Sequence, residues 1–160
     1  MKKISILCVG KVKERYFNDL INEYVKRLGR YCKITICEVP DEATPAGASE
    51  TVENNIKMTE GKRLEHYITD DAYVIALVID GKMKSSTEFA DMIQDLGING
   101  KSNIQFIIGG SLGLSDEIIK RADYRLSFSK MTFPHQLMRG ILLEQIYRAF
   151  RIINNEPYHK

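Results

Sequence analysis

The chain has no long apolar stretch. Its longest uninterrupted apolar run, Ala72 to Ile79, covers eight residues, far short of the roughly 20 that cross a bilayer as a helix. No membrane partner is expected. A leader pattern is missing too. The apolar segment Ile4 to Gly10 runs directly into Lys11, Lys13 and Arg15 with no small-residue cleavage site, unlike a secretory signal. It is expected to be the first strand of a cytoplasmic protein. Cysteine is scarce: Cys8, Cys32 and Cys37 are odd in number and form neither a CxxC pair nor a Cys/His cluster. Reduced, structural thiols and no metal site are expected.

Net charge is also small, at +2, but it is unevenly spread. Residues 1–33 hold nine Lys/Arg against three acids, and residues 120–160 hold eight against three. Residues 38–60 hold six acids against one lysine. If folding joins the two ends, one face becomes basic and can meet a polyanion.

Several catalytic signatures are absent as well. No Ser-His-Asp order, HExxH helix or paired-carboxylate arrangement stands out. The Gly109-Gly110-Ser111-Leu112-Gly113 turn is not followed by Gly-Lys-Ser/Thr, so it is no P-loop. The first strand leads into Val9-Gly10-Lys11-Val12-Lys13 rather than a glycine fingerprint, which counts against a nicotinamide- or flavin-dependent oxidoreductase.

What is present is a regular alternation. Its 160 residues suit one domain spanning 1–160. Strands are expected at Lys3–Val9, Lys33–Val39, Ala72–Ile79, Ile104–Ile108 and Tyr124–Phe128. Phe17, Leu20, Ile21, Tyr24, Val25 and Leu28 recur at helical spacing, with Gly29 as the C-cap. Glu50–Ile68 is a polar, exposed helix, weakened around Gly61. Asp80-Gly81-Lys82 is a turn. Ser85 and Glu88 make a capping box for a helix that Gly97 ends. Ser115 caps a short helix through Arg121, and Gln136–Asn154 is the last helix. Five strand–helix alternations predict a parallel α/β sheet flanked by helices.

Two turns at the carboxyl ends of strands, Gly109–Gly113 and Phe128–His135, lie where open α/β sheets bind ligands. The second combines the Ser129 and Thr132 hydroxyls, the Lys130 charge and the apolar Met131 and Phe133. That mixture suits a flat heterocycle, a cofactor that brings its own reactive group. His135 sits beside Pro134 at a helix start, whose positive end disfavours the charged imidazole. Arg148 and Arg151 share a helix face and suit phosphates or an ion pair with Glu144.

The stretch Phe128-Ser129-Lys130-Met131-Thr132-Phe133-Pro134-His135-Gln136 resembles a known family. So do Ile107–Leu114, Val9–Glu14 and the ending Pro157-Tyr158-His159-Lys160. By these motifs, in order over the whole chain, the sequence is similar to the RlmH family of SPOUT-class methyltransferases. One departure is Leu112, where some relatives carry a polar residue.

The resemblance implies a C-terminal trefoil knot and a homodimer whose partner completes each site. It implies S-adenosyl-L-methionine as methyl donor, and transfer to N3 of a pseudouridine in 23S ribosomal RNA within the ribosome. Carried over by position, the donor site is Leu77, Gly109, Phe128, Ser129, Lys130, Met131, Thr132 and Phe133. His159, assisted by Tyr158, is expected to take the N3 proton, brought over the pocket by the tail. Lys130, Arg139, Arg148, Arg151 and Lys160 are expected to hold RNA phosphates. A non-enzymatic ribosome-binding protein is the rival reading that keeps the fold.

Overall fold

The computed structural model describes residues 2–160. The elements are β1 (Lys2–Val9), α1 (Arg15–Leu28), β2 (Cys32–Val39), α2 (Glu50–Glu65) and β3 (Tyr73–Met83), followed by α3 (Ser86–Ile98), β4 (Asn103–Ile108), α4 (Asp116–Arg121), β5 (Tyr124–Ser127) and α5 (His135–Ile153). All the strand pairings are parallel, in the order β2-β1-β4-β3-β5.

Strand alternation sorts the core into two layers. Ile4, Ile6 and Cys8 of β1 join Phe106 of β4 and the apolar faces of α1, α3 and α5. Leu7 and Val9 face the other way, with Ile107 and residues of α2 and α4. Burial on both faces is why the central strands read as continuous apolar runs. Phe106 is fully buried, with Phe89 at 6.1 Å between ring centroids. Phe106→Ala is expected to cost about 3–5 kcal/mol, read as a lowered urea midpoint.

The capping box at the start of α3 is present in both directions: Ser85 Oγ accepts from Glu88 N and Glu88 Oε1 accepts from Ser85 N. Ser115 caps α4 through Ile118 N. Two expectations need correction, those on Gly61 and on Asp80-Gly81-Lys82. Gly61 does not weaken α2: it is buried mid-helix, and a Cβ there would lie 2.6 Å from Ser115 Oγ. Glycine is what lets α2 close on the start of α4. Gly29 caps α1 in a right-handed conformation, φ −55°, so its glycine freedom is not used there.

Asp80-Gly81-Lys82 is not a turn but part of β3. The strand bulges between Leu77 and Lys82, both of which pair with Leu126 of β5. A Cβ on Gly81 would meet Arg125 backbone atoms at 2.8 Å. The glycine therefore serves a close strand crossing, as glycines at bulges do.

α1 lies directly on α5, where a Cβ on Gly140 would approach Leu20 Cδ2 to 2.4 Å. The two basic ends of the chain are thus brought together. Among the described residues, no helix is long and apolar enough to cross a membrane.

Candidate active site

β3, β4 and β5 open at their carboxyl ends into one cavity of about 750 Å³. That volume is in the range of small-molecule sites. Leu77 comes from β3, the Gly109–Leu114 turn follows β4, and the Phe128–His135 segment links β5 to α5. Met138, in the first turn of α5, adds another apolar wall. Leu77, Gly109 and the segment Phe128–Phe133 line the cavity, Lys130 excepted. Lys130 is exposed outside the lining. Leu112 also lines it, so the departure from the family motif falls in the wall itself.

The glycine turn folds back on itself. Gly113 has φ +88° and its N–H donates to the Gly110 carbonyl at 3.1 Å. A Cβ on Gly109 would lie 2.6 Å from the Gly113 carbonyl carbon. The second loop is shaped by its own hydroxyls: Ser127 Oγ donates to the Ser129 carbonyl, and Ser129 Oγ accepts from Met131 N.

His135 lines the cavity as the first residue of α5. Its pKa is lowered, first by burial and then by the Arg139 charge, against a raising effect of Asp41. A Cβ on Gly10 would come within 3.7 Å of His135 Nε2 and 3.9 Å of Asp41. The carboxyl end of β1 and the loop after β2 therefore border the site.

Arg139 does not fit its expected role on RNA. It is 1% exposed, pairs with Glu38, and donates to the Gly10 carbonyl at 2.7 Å and the Val9 carbonyl at 3.2 Å. It ties α5 to the ends of β1 and β2. Arg148 and Arg151 are occupied too. Arg148 Nε donates to Glu144 Oε1 at 2.7 Å, and Arg151 Nη1 donates to Glu156 Oε2 at 2.7 Å. The ion pair with Glu144 is the alternative the spacing had left open. Lys160 is exposed.

These arginines hold the tail. Arg151 Nη2 donates to the Pro157 carbonyl at 2.8 Å, and Arg148 stacks over the Tyr158 ring at 4.6 Å. Tyr158 Oη donates to Glu144 Oε2 at 2.6 Å. Burial and this bond push the Tyr158 pKa far up, so it stays a phenol. Arg148 Nη1 lies 3.2 Å from His159 Nδ1. Arginine can only donate, so Nδ1 is the acceptor in this contact.

The tail is therefore not brought over the cavity of its own chain. It lies along the far part of α5, and from His135 to Arg148 the helix rises roughly 20 Å.

The cysteines carry no chemistry here. All three are free, and burial raises the Cys8 thiol to about 12 and the Cys32 thiol to about 11. Thiols so raised are poor nucleophiles. Among the described residues, no group of three or more His, Cys, Asp or Glu could hold a metal.

Glu60 escaped the sequence reading altogether. The polar pattern of its helix reads as exposed, yet Glu60 is buried against the glycine turn. Nothing in its local pattern marks it.

The comparisons with known proteins agree with this geometry. A family model described as "Predicted SPOUT methyltransferase" matches residues 1–159. Ribosomal RNA large subunit methyltransferase H of Bifidobacterium adolescentis is 63% identical over 158 residues, covering 99% of both chains. The protein of the same name from Clostridium novyi is 60% identical over 157 residues, covering 98% of this chain and 99% of that one.

Two solved structures share the fold at low identity. A probable methyltransferase from Bordetella pertussis Tohama I has a TM-score of 0.58 at 10% identity, over 92% of this chain and 96% of the other. A probable methylase family protein from Haemophilus influenzae Rd KW20 has a TM-score of 0.54 at 14% identity, over 98% and 70%. A five-stranded parallel sheet, a cavity built from the turns after β4 and β5, and full-length identity of this order agree: the chain belongs to the SPOUT methyltransferases, among the relatives named ribosomal RNA large subunit methyltransferase H.

Proposed function

We propose that the protein transfers the methyl group of S-adenosyl-L-methionine to N3 of a pseudouridine in 23S ribosomal RNA, acting on the ribosome in the cytoplasm. The observation that carries this is the cavity at the ends of β3, β4 and β5, lined by Leu77, Gly109 and, Lys130 excepted, the Phe128–Phe133 segment. The relatives' names supply the nucleic-acid class.

The residues present fit the donor. Leu77, Phe128, Phe133 and Met138 offer apolar walls for a flat purine. The glycine turn keeps side chains out of the backbone's approach. When bound, the donor supplies an electrophilic methyl group on a sulfonium, so the protein is left with alignment and one proton. The neutral His135 imidazole borders the site without adding a charge beside a cationic ligand.

The chain works as one domain over 1–160, with the knotted C-terminal segment typical of its family, and as a homodimer. A tail that lies on the far part of α5 reaches a cavity only in a second subunit. In that setting Tyr158, a phenol, orients the acceptor, and His159 takes the N3 proton after exchanging its Arg148 contact for the substrate. A neutral imidazole suits that task near physiological pH.

Lys130 and Lys160, together with the exposed Lys11 and Lys13, hold RNA phosphates. Each Lys→Ala change is expected to reduce the slope of log affinity against log salt by about 1. Ribosome binding that is insensitive to salt contradicts this assignment.

Radiolabelled methyl transfer tests the whole reading. Ribosomes from a strain lacking the protein should accept label into 23S RNA at one pseudouridine, located by mass spectrometry. Loss of no methyl group in that strain contradicts it.

A further inference from the structure

Glu60 is 4% exposed on α2 and reaches the glycine turn. Its Oε2 accepts from Glu42 N at 3.0 Å, while its buried Oε1 has no hydrogen-bond partner among the described residues. That unpartnered oxygen would lie 3.3 Å from a Cβ on Gly110, a residue that lines the donor cavity. The missing side chain at Gly110 leaves the carboxyl close to that wall.

No acidic side chain lines the cavity itself, among the described residues. Burial is the first cause that raises the Glu60 pKa, with Asp41 and Glu42 adding to it. The Glu42 N–H and Arg63 pull the other way, but Arg63 is engaged by the Glu42 carboxylate and the Pro40 carbonyl. An unpaired buried carboxyl is costly. Holding Glu42 N needs only an acceptor, so that contact leaves the charge unexplained.

We propose that Glu60 complements the charge of the methyl donor through the Gly110 wall and so makes the site prefer donor to demethylated product. This rests on the reading that the cavity takes S-adenosylmethionine. Methyl transfer breaks the sulfur–methyl bond, leaves its electron pair on sulfur and turns the sulfonium into a neutral thioether. The rest of the nucleoside is unchanged. A fixed negative charge in a poorly solvated site therefore holds the substrate more tightly than the product, and product leaves for fresh donor. A cation opposite the carboxyl also offsets its burial, so bound donor favours the carboxylate form of Glu60.

Calorimetry with S-adenosylmethionine and S-adenosylhomocysteine tests this on wild type and Glu60→Gln. The amide keeps an acceptor for Glu42 N and removes the charge. Donor affinity is expected to fall about tenfold in the variant, with product affinity unchanged. Equal loss for both ligands, or no change in either, overturns the proposal.

Wild type supplies an independent readout if the variant fails to fold. Lowering the pH through the raised Glu60 range should weaken donor but not product, because the groups the two ligands share cancel in the ratio. Parallel pH profiles overturn the proposal while leaving the donor reading intact. Wild type that binds neither ligand removes the donor reading itself, and this inference with it.

Discussion

Removing Pro157–Lys160 is expected to abolish methyl transfer and leave donor affinity unchanged. The separation follows from position. The cavity is built on the first turn of α5 and the loops before it, while the tail is held by Glu144, Arg148 and Arg151 further along the same helix. Nothing in the tail lines the cavity. His159→Ala alone should lower kcat by about 100-fold or more, the usual range for removing a general base. A loss below about tenfold means that the proton goes elsewhere. His135, the other imidazole bordering the site, then becomes the next residue to change.

The tail acts on a second subunit in this account, and mixing distinguishes that from action within one chain. A tail-deleted protein and a protein with a blocked donor site are each expected to be inactive. Combined as a mixed dimer, they should regain activity at one site. No recovery in a confirmed mixed dimer contradicts action between subunits.

The blocked donor site is the second large effect. Gly109→Val is expected to lower donor affinity by about 100-fold or more, which corresponds to about 2.7 kcal/mol. A Cβ there would lie 2.6 Å from the Gly113 carbonyl carbon and 2.8 Å from its oxygen. These are backbone atoms that cannot rotate aside, so the turn itself has to open. The turn is at the end of β4, and the core side chains of Ile104 and Phe106 are untouched. Donor affinity should therefore fall far more than thermal stability. Equal collapse of both indicates that the turn is a folding element rather than a binding one.

Much of the architecture is legible from local pattern. The five strand–helix alternations, the Ser85 and Ser115 caps and the stripe on α1 all depend on neighbours in sequence, and they lie where expected, except that β3 runs four residues further, to Met83, and α2 stops three earlier, at Glu65. The failures share a cause. Asp80-Gly81-Lys82 carries a turn signal, but the glycine is spent on a crossing with β5, more than forty residues away. Gly61 looks like a weak point in a helix, yet it serves the contact with Ser115.

The site divides along the same line. The two cavity loops were found because each is a continuous segment at the end of a strand. Glu60 was invisible because its importance comes from facing Gly110, and Arg139 was misread because charge alone does not reveal that it is buried with Glu38. The tail motif is legible in the sequence, but where it docks depends on Glu144 and Arg148, and spacing alone leaves Arg148 open to an ion pair or to RNA phosphates.

The most direct test is a crystal grown with S-adenosylmethionine. The account predicts the nucleoside between Leu77, the Gly109 turn and the Phe128–Phe133 loop, with its methyl group open toward an acceptor. A saturated protein with the ligand bound elsewhere, or no binding at millimolar donor, contradicts it.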